Sequence, residues 1–172
     1  MATRLHDAKR PVSNVLAGPY GHPFHPIAVT IPIGAWACSL VFDVGSRIAD
    51  NPGFLTQGSE WLLAIGILGA FAAAMIGFLD LVVIPSGTPA FRTGLAHMAL
   101  NLIITTAYLV NFLWRRGDYT TGAPVGVGPL ALNALGFAGL AVSGYLGGKL
   151  AYRYGVRVAG EADQAQGFTT AG

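Results

Sequence analysis

Residues 91–114 read FRTGLAHMALNLIITTAYLVNFLW and run into Arg115-Arg116. From Arg92 to Trp114 there is no acidic side chain and a single imidazole. A helix of roughly 22 residues rises about 33 Å, which matches the hydrocarbon core of a bilayer. His97 lies little more than a turn inside this stretch, and Asn101 follows one turn later on the same face. An ionisable group at that depth is costly in lipid and is expected to face protein, water or a cofactor.

The whole composition agrees with a membrane chain. Of 172 residues, 53% are hydrophobic and 10% charged, whereas soluble domains carry about 25% charged residues. The net charge of +2 excludes the basic surface that nucleic-acid binding needs. Cys38 stands alone, so no intrachain disulfide can form. The first residues hold Arg4, Lys9, Arg10 and several prolines without an apolar run, which argues against a cleaved leader.

Three further apolar runs flank the opening stretch. The pattern predicts an all-α integral membrane four-helix bundle, with spans at about 26–48, 61–84, 93–114 and 127–152. A flexible arm is expected over 1–24, the transmembrane domain over 25–156 and a disordered tail over 157–172. Pro26 suits a first helical turn, and Pro32 frees the Ala28 carbonyl and predicts a kink. Small residues repeat at four-residue spacing in the second span (Gly66, Ala70, Ala74; Gly69, Ala73, Gly77) and the fourth (Ser143, Gly147; Gly144, Gly148), allowing helices to approach closely. Trp36, Phe71 and Phe78 read as core. Asp43 and Arg47, four apart, are expected to pair. Asn101, Asn111 and Asn133 read as interhelical hydrogen-bonding groups.

Four spans put both termini on one side. That side holds Arg4, Lys9, Arg10, Arg92, Lys149, Arg153 and Arg157, and the other Arg47, Arg115 and Arg116. The positive-inside rule then expects both termini in the cytoplasm and a plasma-membrane location. Asp80 and His97 lie at similar depth on antiparallel neighbours and are expected in contact or bridged by one water or ligand. His25, Asp80, Arg92 and His97 would thus form one inner-leaflet layer, with His22 able to fold over it.

HPIAVTIPIGAWACSLVFD (25–43), GFLDLVVIP (77–85), RTGLAHMALN (92–101) and GYLGGKLAYRYGV (144–156) occur in this order. Through these motifs the chain resembles the bacterial membrane family called domain of unknown function 2231, over about residues 22 to 157. The resemblance implies a compact four-helix membrane protein and supplies no activity.

Three readings of the polar layer stand side by side. His97 and His25 could be axial ligands of haem b, with Arg92 facing a propionate and Asp80 and Asn101 beside the site. His22, His25 and His97, with Asp80, could instead hold a divalent metal such as Zn, Fe or Cu. The layer could also be a purely structural network. A hydrolase is disfavoured, because Ser39, Ser46 and Ser143 have no base at a plausible depth. A transporter is disfavoured too, because no inverted repeat is discernible. The expected partners are the lipid bilayer and either a second copy of the chain or a redox partner.

Overall fold

The computed structural model of the protein describes Ala8 and residues 23–117, 119–166 and 168. Helices α1 (Phe24–Ala28) and α2 (Thr30–Ser46) together make the first span, and α3 (Gly53–Val82) the second. Helix α4 (Pro89–Arg115) is the third. The fourth comprises α5 (Val127–Gly148) and the π-helical turn Lys149–Arg153, and a short α6 (Glu161–Gln166) follows. All four spans are long and apolar enough to cross a membrane. The molecule is therefore an all-α membrane bundle.

Local chemistry sets the ends of these helices. Thr88 caps α4 by accepting from the Phe91 amide at 3.1 Å, and Pro89 occupies the first turn, where its missing N–H costs nothing. The first span is interrupted at Val29, one turn before Pro32, which has no N–H to offer the Ala28 carbonyl. The second span begins at Gly53 rather than near Trp61. Thr56 donates to the Ala123 carbonyl at 2.8 Å and Gln57 to the Tyr119 carbonyl at 3.1 Å, so the polar residues of this stretch extend the helix into contact with the 119–126 loop. Of the expected tail, Arg157 is bonded to the bundle and Glu161–Gln166 is helical. The arm of 1–24 lies outside the described residues except for Ala8, Pro23 and Phe24.

Helix α2 packs on α3 and α5, and α4 packs on the same two helices. The first and third spans therefore face each other across a diagonal of the bundle, running in the same direction. Three pairs meet on that diagonal. His25 and His97 lie at one end with ring centroids 6.4 Å apart. Trp36 stacks on Tyr108 in the middle, at 3.9 Å and 10°. Asp43 and Arg115 form an ion pair at the other end. Leu63, Ile67 and Ile104 complete the core around the stacked rings. Phe71 and Phe78, expected in the core, are each 54% exposed and face outward. In lipid the outer face of a span is as apolar as the inner one, so hydrophobicity does not tell them apart.

These pairs have a constant register: 25 with 97, 36 with 108 and 43 with 115, always 72 positions apart. Their contacts on the partner helices recur at 70 positions. His25 bonds the Ala73 carbonyl and lies on Gly77, and His97 bonds the Ser143 carbonyl and lies on Gly147. Trp36 donates to the Leu63 carbonyl and lies on Gly66, and Tyr108 donates to the Asn133 carbonyl and lies on Gly136. Phe42 lies on Gly58 as Trp114 lies on Gly128. The bundle is thus one two-span hairpin used twice about an axis along its length. It is a direct repeat, unlike the inverted kind found in many transporters.

Candidate functional site

The two ends of the diagonal carry different chemistry. At the Arg115 end, the Asp43 carboxylate accepts from Arg115 Nη1 at 2.7 Å and Nη2 at 2.6 Å, from Ser59 Oγ at 2.5 Å and from Asn133 Nδ2 at 2.6 Å. Arg115 Nε donates to Asn111 Oδ1 at 2.7 Å, and Asn111 Nδ2 to the Pro129 carbonyl at 2.9 Å. All four spans contribute to this buried network. The expected Asp43–Arg47 pair does not form, because Arg47 Nη1 donates to the Val125 carbonyl at 2.8 Å. A planar guanidinium that meets the carboxylate with two parallel bonds, inside the bundle, outcompetes an i,i+4 neighbour at its rim. With every carboxylate lone pair engaged, this end reads as a structural lock.

At the opposite end, His25 Nδ1 is 3.0 Å from the Ala73 carbonyl oxygen, and His97 Nδ1 is 2.9 Å from the Ser143 carbonyl oxygen. A carbonyl can only accept. Each Nδ1 therefore carries a proton, and in the neutral ring the lone pair lies on Nε2. Asn101 Nδ2 has two hydrogens, directed at the His97 carbonyl (2.8 Å) and at Ser143 Oγ (2.6 Å). Its nearly equal distances to His97 Nδ1 and Nε2, 3.4 and 3.3 Å, are contacts with the ring face. Glycine makes room for each ring. A Cβ on Gly77 would come within 2.7 Å of His25 Cε1, and one on Gly147 within 3.3 Å of His97 Cε1.

The other expected members of this layer are arranged differently. Asp80 makes no direct bond to His97; it accepts from Arg157 Nε at 2.7 Å in a partly buried ion pair. Matched depth did not bring matched direction, because Gly77 and Ala73 turn toward the histidines and Asp80, three residues past Gly77, turns to the chain segment that closes the end. Arg157 takes a left-handed conformation, φ 58°, after Gly155 at φ 68°. Arg92 lies exposed near the start of α4. His22 falls outside the described residues. No cluster of three or more His, Cys, Asp or Glu occurs among the described residues.

Two imidazoles anchored through Nδ1 keep Nε2 as a donor of the kind that iron, copper or zinc takes. Fixing the far nitrogen on a carbonyl sets the tautomer, orients the ring and raises ligand basicity. A protein-only zinc site asks for three or four donors, whereas iron in a porphyrin needs only two axial ones. The observed separation is 6.4 Å, with planes at 87°.

A family model described as "Predicted membrane protein (DUF2231)" matches residues 21–160. No curated protein and no solved structure matches the chain.

Proposed function

The chain belongs to the DUF2231 family of membrane proteins, and on that premise we propose that it binds haem b between His25 and His97 and carries electrons. The observation behind this reading is the carbonyl-anchored imidazole pair, 6.4 Å between centroids, whose separation and tautomers suit axial ligation of one iron. Haem iron, when bound, supplies a one-electron couple. The chain's own part is to hold the two Nε2 donors at a fixed spacing, exclude water with the stacked Trp36–Tyr108 pair and present a cation to the propionates. Arg92 would fill that last role at the exposed rim.

Arg92, Lys149, Arg153 and Arg157 lie at or beyond the histidine end, and in the sequence Arg4, Lys9 and Arg10 precede the span that begins there, which supports a cytoplasmic orientation for that end in a plasma membrane. Asp80, paired with Arg157, would close the site from the side without touching iron. The test is an absorption spectrum of the full chain purified in mild detergent from haem-supplemented cells. A Soret band that shifts on dithionite reduction and vanishes in His97→Ala is expected. A well-folded, colourless preparation overturns the haem reading. Metal analysis of that preparation then separates a zinc or copper site from a structural pair.

A further inference from the structure

The repeat also marks where the two hairpins differ. Near its end the first hairpin has Leu79, Val82, Val83 and Ile84, and 70 positions on the second has Lys149, Tyr152, Arg153 and Tyr154. Apolar side chains suffice to finish the first, so packing alone does not call for two cations and two phenols at the same places in the second. The backbone differs as well. Lys149–Arg153 is a π-helical turn, and the Tyr154 amide donates to the Lys149 carbonyl, five residues back, at 3.2 Å. Turns of this kind are rare and frequently mark functional sites.

The wide turn gathers side chains that a regular helix would separate. At 3.6 residues per turn, positions 149 and 154 would point about 140° apart. Here the Lys149 ammonium lies over the Tyr154 ring, 5.7 Å from its centroid. The Tyr154 hydroxyl lies against Lys149 and against Thr93 of α4, with Arg153 close enough to act on it through its charge. Thr93 is itself fixed, donating to the Pro89 carbonyl at 3.0 Å. Among the described residues no carboxylate forms an ion pair with Lys149 or Arg153. Asp80 is taken by Arg157, and Glu161 and Asp163 stand on the separate α6.

We propose that this corner of the bundle binds the phosphate of an anionic phospholipid. Lys149 offers three N–H donors and Arg153 five, the latter in the planar fork that suits a phosphate. The surface leading to them is apolar. Val142, Tyr145 and Lys149 follow one another along the outer face of the fourth span. Tyr145 is 72% exposed, and Tyr152, which flanks the cations, is 92% exposed. An acyl chain fits along Val142 and Tyr145 while its headgroup meets Lys149 and Arg153. A free phosphate ion would use only the cations, whereas a lipid uses both surfaces. The proposal depends neither on haem nor on which side of the membrane this end occupies.

Native mass spectrometry of the full-length protein in mild detergent tests it. The probes are phosphatidylglycerol and phosphatidylcholine with the same acyl chains, and inorganic phosphate is the competitor. The first lipid bound to the wild type should be phosphatidylglycerol in preference to phosphatidylcholine, and excess inorganic phosphate should not displace it. A cation near a membrane surface contributes about fivefold in affinity for anionic lipid. Lys149→Gln and Arg153→Gln should therefore each lower the preference about fivefold, and the double variant roughly 25-fold. Lys149→Arg keeps the charge and should keep the preference. Arg116→Gln removes a cation that lies 5.9 Å from the Phe112 centroid at the opposite end, and should change nothing. Thermal unfolding gives a second reading, because a lipid that binds the folded state stabilises it. Phosphatidylglycerol should raise the Tm of the wild type more than phosphatidylcholine does, and the two lipids should act equally on the double variant. Equal retention of both lipids by folded wild-type protein, an unchanged preference in the double variant, or an equal loss in Arg116→Gln overturns the proposal. Displacement by inorganic phosphate identifies a small-anion site and overturns it too.

Discussion

The residue with most at stake is Asp43, whose carboxylate is fully buried and bonded by groups from the other three spans. Such a charge is tolerable only while its partners remain. Asp43→Ala strands the Arg115 guanidinium and Arg115→Ala strands the carboxylate, and each is expected to cost about 3–5 kcal/mol. Arg47→Ala removes one bond to a loop carbonyl and should cost less than about 1.5 kcal/mol. Thermal unfolding of the three variants in one detergent checks this, and a loss in Arg47→Ala equal to that in Asp43→Ala would contradict the network. Glycines give a second comparison. A Cβ at Gly77 would lie 2.7 Å from His25 Cε1, while one at Gly34 meets nothing within 4 Å. Gly77→Ala should therefore displace the imidazole and turn the ferric haem signal high-spin, as His25→Ala does, and Gly34→Ala should leave both stability and that signal unchanged. Neither Asp43 nor Arg115 was legible as a partner of the other in the sequence. They are 72 positions apart, and an i,i+4 arginine offered the simpler local explanation.

At the scale of the helices, the repeat governs what packs where. Gly58, Gly66, Gly69 and Gly77 reappear as Gly128, Gly136, Gly139 and Gly147, each 70 positions on. Each receives a side chain from the preceding span of its own hairpin, Gly69 taking Ile31 as Gly139 takes Ile104. That spacing is present in the sequence, but four-residue rows of small residues describe only one helix at a time and do not relate one hairpin to the other. The spans, the break near Pro32 and the meeting of His25 with His97 could be reasoned from hydropathy, proline chemistry and depth. The azimuth of Asp80 could not, since depth along a helix leaves its direction open. If the hairpins are repeated units, each should insert by itself and pair in the bilayer. Residues 1–86 and 88–172 made as separate chains, cut at the Gly87 turn (φ 81°), should co-purify with the His25–His97 site restored. Failure of the two halves to associate, when both are inserted, would contradict a hairpin-on-hairpin assembly.

For the molecule as a whole, the loops around Asn51 and Gly122 lie at the Arg115 end and should be exported, with reporters beyond Gln166 retained in the cytoplasm. A cytoplasmic signal from Asn51 or Gly122 would reverse the orientation and move the histidine pair to the outer face. The fold itself would survive such a result, because the diagonal pairs do not depend on which way the bundle points. The measurement that bears most directly on the site is electron paramagnetic resonance of the oxidised, full-length protein. Two imidazoles on one ferric iron, with planes near the observed 87°, should give the highly anisotropic low-spin signal of perpendicular axial ligands. His25→Ala should turn that signal high-spin, and His97→Ala should abolish it. A folded protein with no ferric haem signal, or a low-spin signal that survives in both variants, would contradict haem ligation by His25 and His97.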